Sequence, residues 1–501
     1  MVFLSSHGGI LQSTLQIKHL GTTARDILEA IPTLWNLAQS ANRLPQELIS
    51  RIARHLLLDE NNIDARPVIP LTHVCRHWRE SIVSTPGNWT LISNNRSELT
   101  ALSLERAKAA RLDVSVDMRQ FRADPRSFGP IIPYTKNIDT LSIYDLPGIE
   151  ELALVFPNFP QSTPNLRSLT LYSTYANAKW DRTVDPFKSF PRALKCLGLF
   201  DIPLYSSLRN LRALTDLTLR YLTFDGHVDT LLTFLEQNRS LERATLDVRF
   251  TEPSLRQSQR QAAIKNRLQH LSITCNNPMN AQVLIANIAL RRGAHLEISS
   301  LDNNTRLSDV LSDIPTNHLS NLSSPDFLEY QSYPRIIQLR GRNGSFAYSC
   351  SPCSDASFIE FPSLPLADIR EFRFEHRAPG RLRTSLSPPV FDPSFFPSLE
   401  TLAIECDIEV LHFLSALLPS PSTLPSLKTL AFLNCVITEE FMEKLTKYAC
   451  DRQGTALARL YQVVIVQKDG IFPSATLIHA LGRHVPVVDV RFGTKFPTGL
   501  T

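Results

Sequence analysis

Two spacings in this chain could hold a metal ion or move electrons. Cys350-Ser351-Pro352-Cys353 has the C-x-x-C separation used by zinc sites and thiol oxidoreductases. His73 and His77 stand one helical turn apart, a geometry that can put two imidazoles on one metal. Neither is completed elsewhere. No second cysteine pair follows at suitable spacing, and the first lies in a Ser- and Gly-containing stretch instead of at a strand-to-helix turn. The two histidines flank an apolar stripe, which suits a solvated or interfacial role. No G-x-S-x-G, H-E-x-x-H, P-loop or dinucleotide fingerprint occurs. Catalysis needs converging groups with matched proton affinities, or an activated nucleophile. The sequence therefore predicts a protein that is not an enzyme, with no cofactor and no metal.

A binding protein remains, and composition narrows its partners. A chain of 501 residues exceeds one ordinary core, so several domains or a long repetitive array is expected. A hydrophobic fraction of 43% with 20% charged residues argues against wholesale disorder. Basic residues number 52 and acidic residues 48, and no long Lys/Arg run occurs, so no nucleic acid and no membrane surface is expected as a partner. No apolar window approaches the roughly 18 residues of a membrane span. Val2-Phe3-Leu4 lacks the basic start and the cleavage site of a signal peptide. The cysteines at 75, 196, 275, 350, 353, 406, 435 and 450 are scattered, as in a reducing compartment. The expected location is cytoplasmic or nuclear.

The elements that would present a binding surface begin at Leu44-Pro45-Gln46-Glu47-Leu48. Pro45 suits a helix start, and Leu44, Leu48, Ile52 and Leu56 recur every four residues on one stripe. Leu71, Val74, Cys75, Trp78 and Ile82 repeat the pattern in a second segment, closed by Ser84-Thr85-Pro86-Gly87-Asn88-Trp89. Two helices this short cannot bury both stripes alone, so a partner is expected to cover them.

These residues resemble the F-box, in the form found in large fungal families where leucine-rich repeats follow it. The L-P-x-E-L opening, the V-C-R-x-W middle and the S-T-P-x-x-W closing stand in order across residues 44–93. The link from Asp59 to Arg66 is longer and more polar than the family's usual one. The resemblance implies docking on the Skp adaptor of a cullin-RING ubiquitin ligase through Leu44, Pro45, Leu48, Ile52, Leu56, Val74, Cys75, Trp78 and Trp89. The rest of the chain would hold a protein substrate, so that rate comes from proximity and not from side-chain chemistry. A scaffold that assembles a complex on the same repeats without ubiquitination is the competing reading.

From residue 138 an L-x-x-L-x-L triplet recurs. Its members are Ile138-Leu141-Ile143, Leu166-Leu169-Leu171, Leu194-Leu197-Leu199, Leu214-Leu217-Leu219, the weaker Leu241-Ala244-Leu246, Leu268-Leu271-Ile273, Ile369-Phe372-Phe374, Leu399-Leu402-Ile404 and Leu427-Leu430-Phe432. Helix-capable pieces at 228–238, 281–291 and 439–449 lie between triplets. This predicts an α/β fold: a short helical F-box, then an irregular leucine-rich-repeat horseshoe with parallel strands on its concave side and helices on its convex side. The expected divisions are an N-terminal helical extension over 1–43, the F-box over 44–93, a connecting helix and capping strand over 94–130, and the repeats over 131–501. In the family an Asn or Cys after the strand ties the turn; Asn276 and Cys435 stand there. The register weakens between 299 and 333, and Ile337-Gln338-Leu339 is a candidate for its return.

Strand alternation sends the second, fourth and sixth residues after each leading position to the concave side. The sixth position reads Tyr144, Tyr172, Phe200 and Arg220, with Arg249 beside it and Glu375 and Glu405 later. An aromatic and basic end and an acidic end are expected, together recognising a protein segment of reversed polarity.

Overall fold

The computed structural model describes residues 40–57, 64–148, 151, 163–173, 193–202, 211–224, 228–250, 264, 267–275, 277–301, 307–311, 319, 325–332, 335–341, 344–350, 364, 366–376, 393–406, 424–454, 459–467 and 473–492. Nearly all of the helical extension expected over 1–43, together with Cys353 and Asn276, lies outside them. The fold is mixed α/β and the chain divides into two compact units, Met1–Ala178 and Lys179–Thr501.

In the first unit, helix α1 (Gln46–Leu57) starts where the Pro45 carbonyl accepts the N–H groups of Leu48 and Ile49. The segment read as one second helix is divided. A 3-10 turn runs Pro70–His73, Cys75 is extended, and helix α2 spans Arg76–Ser84. The interruption has a visible cause: the Thr72 carbonyl accepts from Arg79 Nε (2.9 Å) and the Thr72 hydroxyl donates to Ile69 (2.7 Å). His73 therefore lies off the helix that carries His77. His77 Nε2 sits 2.9 Å from the Leu44 carbonyl, to which it can only donate, tying α2 to the start of α1.

Strand β1 (Leu91–Ser93) follows directly and pairs in parallel with β2 (Leu112–Asp117), so the expected capping strand has a neighbour outside it. Helix α3 (Ser97–Ala107) connects the two. Helix α4 (Met118–Ala123) and a 3-10 stretch (Pro125–Asn137) lead to β3 (Ile138–Tyr144), which pairs in parallel with β2 and with β4 (Ser168–Tyr172).

The second unit holds a sheet whose order follows the chain except at one place. Strands β5 (Cys196–Phe200), β6 (Asp216–Phe224), β7 (Arg243–Phe250), β8 (His270–Cys275) and β9 (Ala294–Ser300) are successive parallel neighbours. Next come β12 (Gly344–Cys350), β11 (Arg335–Gly341) and β10 (Pro325–Ser332), and β10 pairs in parallel with β13 (Glu371–His376). Strands β14 (Thr401–Cys406), β15 (Thr429–Leu433), β16 (Gln462–Gln467) and β17 (Val487–Phe492) continue it in parallel. Ile337-Gln338-Leu339 is thus no resumed repeat: it belongs to β11, which runs antiparallel to both neighbours. The hairpin insert carries the sheet across the stretch where the triplet register fades.

The triplets form the core. Leu194, Leu197 and Leu199, and likewise Leu427, Leu430 and Phe432, are buried. Helices α5 (Val228–Gln237), α6 (Pro278–Asn287), α7 (Leu307–Leu311), α8 (Glu439–Gln453) and α9 (Ala475–Gly482) lie between strands. Phe441 of α8 meets Phe432 edge-on, centroids 4.9 Å apart. Thr438 caps α8, its hydroxyl accepting the Phe441 N–H at 3.2 Å. Buried polar side chains fasten helix ends to the loops that lead into strands. Asn238 accepts the Leu214 N–H and donates to the Phe234 carbonyl, and the fully buried Arg452 donates to the carbonyls of Leu424, Pro425 and Leu427 and to the Tyr448 hydroxyl. Cys435 is buried with its thiol 3.5 Å from the Ile404 carbonyl on the adjacent strand.

At several strand exits, and at Tyr221 inside β6, the chain turns through the left-handed region. Asp145, Asp201, Tyr221 and Asn434 have φ of 56°, 56°, 58° and 56°, each seven residues after the leading apolar residue of its repeat. The turned residue keeps its link to the next strand: Asp201 N–H donates to the Arg220 carbonyl and Asn434 N–H to that of Val466.

Candidate interaction surfaces

In the first unit α1 is divided lengthwise. Ile49 and Ala53 face inward and are fully buried with Val68, Ile82 and Trp89. On the other stripe Leu48 is 42% exposed, Ile52 37% and Leu56 41%, with Val74 beside α2 at 47%. Leu44 is half-buried and Pro45 exposed. These six residues stand where a partner can reach them.

Cys75, Trp78 and Trp89 do not, which corrects the expectation that they lie at the contact. Trp78 Nε1 donates to the Ala41 carbonyl (3.0 Å) in the turn Ser40–Arg43, so chain preceding the motif covers one side of the ring. Trp89 Nε1 donates to the Ile82 carbonyl (3.0 Å), and the Arg106 guanidinium of α3 lies 4.3 Å from its ring centre. The unit is better sealed than its own two helices could manage, because segments on either side of the motif close it. Its tryptophans are core and its exposed apolar residues are aliphatic.

A further surface in each unit is the outward side of its own strands. In the first unit Tyr144 and Tyr172 stack with centroids 4.6 Å apart and planes 13° from parallel. Both are half-buried. In the second unit, Phe200 lies under Arg220, whose guanidinium carbon is 5.9 Å from the ring centre. Arg249 is in β7, its side chain outside what is described.

Two residues before Phe200 and Arg220 the outward row is small, with Gly198, Thr218, Thr245 and Ser272. Two residues earlier still the row reads Cys196, Asp216, Arg243, His270 and His295 on five successive strands. Arg243 Nε pairs with Asp216, which also accepts from the Thr215 hydroxyl (2.7 Å) and the Cys196 thiol (3.7 Å). Burial works to raise the Asp216 carboxyl, but the hydrogen bonds from Arg243, Thr215 and Cys196 and the Arg243 charge outweigh it and hold it below its ordinary value. Burial, then the Asp216 charge, pushes the Cys196 thiol up, so it is a donor at neutral pH and not a nucleophile. His270 and His295 rings lie 5.7 Å apart, and His295 Nδ1 is 2.7 Å from the Ser345 hydroxyl. This row was missed in the sequence, although the constant spacing from each triplet locates it.

The expected acidic end is corrected. Glu375 and Glu405 are only 8% exposed. Glu405 accepts from Arg373 Nη2 (2.9 Å) and Asn434 Nδ2 (3.0 Å). Alongside them the outward positions of β14 to β16 carry Ala403, Ala431, Leu433, Val464 and Val466, which form a buried apolar cluster. The outward side is therefore largely accessible on β5 to β9, with the buried Asp247 an exception, and sealed on β14 to β16.

Among the described residues, no group of three or more His, Cys, Asp or Glu could hold a metal ion, and no helix is long and apolar enough to cross a membrane. A scan against protein-family models finds no match to this chain, and a search of curated proteins finds no relative.

Proposed function

We propose that the chain is the substrate receptor of a Skp-cullin-F-box type ubiquitin ligase, with an F-box over residues 44–93 and an irregular leucine-rich-repeat array after it. The adaptor covers Leu48, Ile52, Leu56 and Val74, and outward strand residues hold a protein substrate: Tyr144 and Tyr172 in the first unit, Phe200 and Arg220 in the second. The observation that carries the reading is the exposed aliphatic stripe of Leu48, Ile52 and Leu56 along one face of α1, with Val74 beside it. Burying each such side chain is worth about 1 kcal/mol, given that roughly half its area is already covered. Four of them give a contact centre that water would otherwise occupy at a cost. Motif order supplies the family and the stripe supplies the surface.

The test is binding of the purified full chain to a purified Skp-type adaptor. Leu48→Asp and Ile52→Asp should each weaken the complex by at least about tenfold. The thermal midpoint should fall only slightly, because a large part of each side chain already stands in water. Trp78→Ala should lower the thermal midpoint much more. Adaptor binding that survives Leu48→Asp and Ile52→Asp together would overturn the reading.

A further inference from the structure

We propose that Phe200, Arg220 and Tyr221 form a carboxylate-reading contact on the accessible outward side of the second unit, its ligand an Asp or Glu side chain on an extended segment of a protein partner. The proposal rests on the substrate-holding half of the reading above and is independent of the adaptor half.

Its first support is a bulge. Leu219 stands opposite Leu246 and Leu222 opposite Val248, so β6 carries one residue more than β7 between these pairs. Leu219 and Leu222 are both buried, and the two residues between them, Arg220 and Tyr221, both turn outward. Regular alternation would have sent one of them inward.

The second support is the residue type at the turn. Asp145, Asp201 and Asn434 occupy the left-handed strand exit elsewhere, and their short polar side chains tolerate it. Tyr221 takes the same φ of 58° with a bulky ring that is 54% exposed. Among the described residues no hydrogen bond or ring contact of the Tyr221 side chain offsets that conformational cost. Strain of this kind concentrates at ligand contacts.

The third is an uncommitted cation. Arg243, one strand over, is taken by Asp216, whereas the Arg220 guanidinium has only the Phe200 ring and no acceptor among the described residues. The ring limits where the planar fork can lie, which favours two parallel hydrogen bonds to a carboxylate. The hydroxyl of Tyr221, the next residue in the chain, supplies one more donor. A phosphate dianion would call for further cations, and among the described side chains the adjacent one, Arg243, is already neutralised by Asp216.

The experiment uses the full-length protein without adaptor, and three sets of immobilised twelve-residue peptides, randomised except for a central Glu, Gln or phosphoserine. The Glu set should bind about tenfold tighter than the Gln set, and Arg220→Gln should reduce that preference below about twofold. Tyr221→Asn should weaken Glu-peptide binding while leaving the thermal midpoint unchanged or raised, an outcome a merely structural tyrosine would not give. Equal binding of Glu and Gln peptides, a preference that survives Arg220→Gln, tighter binding of the phosphoserine set, or no binding by the unaltered protein would each overturn the proposal. Adaptor binding by the same variants, measured in parallel, separates this failure from failure of the adaptor reading.

Discussion

Two stretches of the second unit present the same pleat positions and use them in opposite ways. On β5 to β9 the outward rows carry Thr218, Arg220, Arg243, His270 and Ser272, half-buried or exposed. On β14 to β16 the corresponding rows carry Ala403, Ala431, Leu433, Val464 and Val466, all buried, and the neighbouring carboxylates of Glu375 and Glu405 are buried too. A parallel strand buried on both faces reads as an unbroken apolar run, and one exposed on a single face alternates. Leu430-Ala431-Phe432-Leu433 and Val463-Val464-Ile465-Val466 are of the first kind, while Leu217-Thr218-Leu219-Arg220 is of the second. A repeat strand is therefore not by itself a binding strand. The surface open to a partner is confined to part of the array.

The largest expected effect breaks this contrast directly. Val464→Asp places a carboxylate in a buried apolar cluster and should destabilise the second unit by on the order of 4 kcal/mol. Thr245→Asp sits at the same pleat position on the accessible stretch and should change stability by less than about 1 kcal/mol. Urea denaturation of the two variants checks both. Comparable losses would mean that the two stretches are equally packed.

Next in size is Arg452. Its guanidinium is fully buried and fastens α8 to three carbonyls in the loop that leads into β15, so it sets the position of the sealed stretch. Arg452→Ala leaves those acceptors without their donor and should cost about 3 kcal/mol by thermal or urea unfolding. Arg452→Lys keeps the charge but cannot span the same acceptors with a fork. It should recover less than half of the loss.

Much of this was legible in sequence, and the omissions have physical reasons. Apolar period four over Leu48, Ile52 and Leu56 located the exposed stripe, because a helix face is a local property. The burial of Trp78 and Trp89 was not local: it depends on Ala41 and Arg106, which no periodicity links to them. Triplets located β3 to β8 and β13 to β15, and no triplet marks β9 to β12. Leu460-Val463-Ile465 and Val485-Val488-Val490 keep the spacing with β-branched residues, and they head β16 and β17. A template of leucines passes over them. Strand direction is not encoded in alternation at all, so the reversal at β11 could not be read from Ile337-Gln338-Leu339. The bulge at Arg220-Tyr221 was hidden for a related reason, since one extra residue shows only against the partner strand. Three-residue β1 is too short for any period.

The smallest effect tests whether the accessible row is held by charge. Asp216 has its carboxyl held below the ordinary value, against the effect of its burial, by donors that include Arg243. A carboxyl lowered in the folded state adds stability that is complete above its unfolded value of about 4 and is lost as pH falls through the lower folded value. Arg243 is largely exposed, so solvent screens the pair and Asp216→Asn should cost only about 0.5 kcal/mol at pH 7. That cost should be flat down to about pH 5 and shrink below about pH 4, as the carboxyl of the unaltered protein takes up its proton. Urea midpoints of the two proteins across this range decide the matter. A penalty of equal size at pH 7 and pH 3 would show that the row is ordered by the shape of its hydrogen bonds, with the ion pair contributing nothing. The accessible stretch would then differ from the sealed one in packing alone.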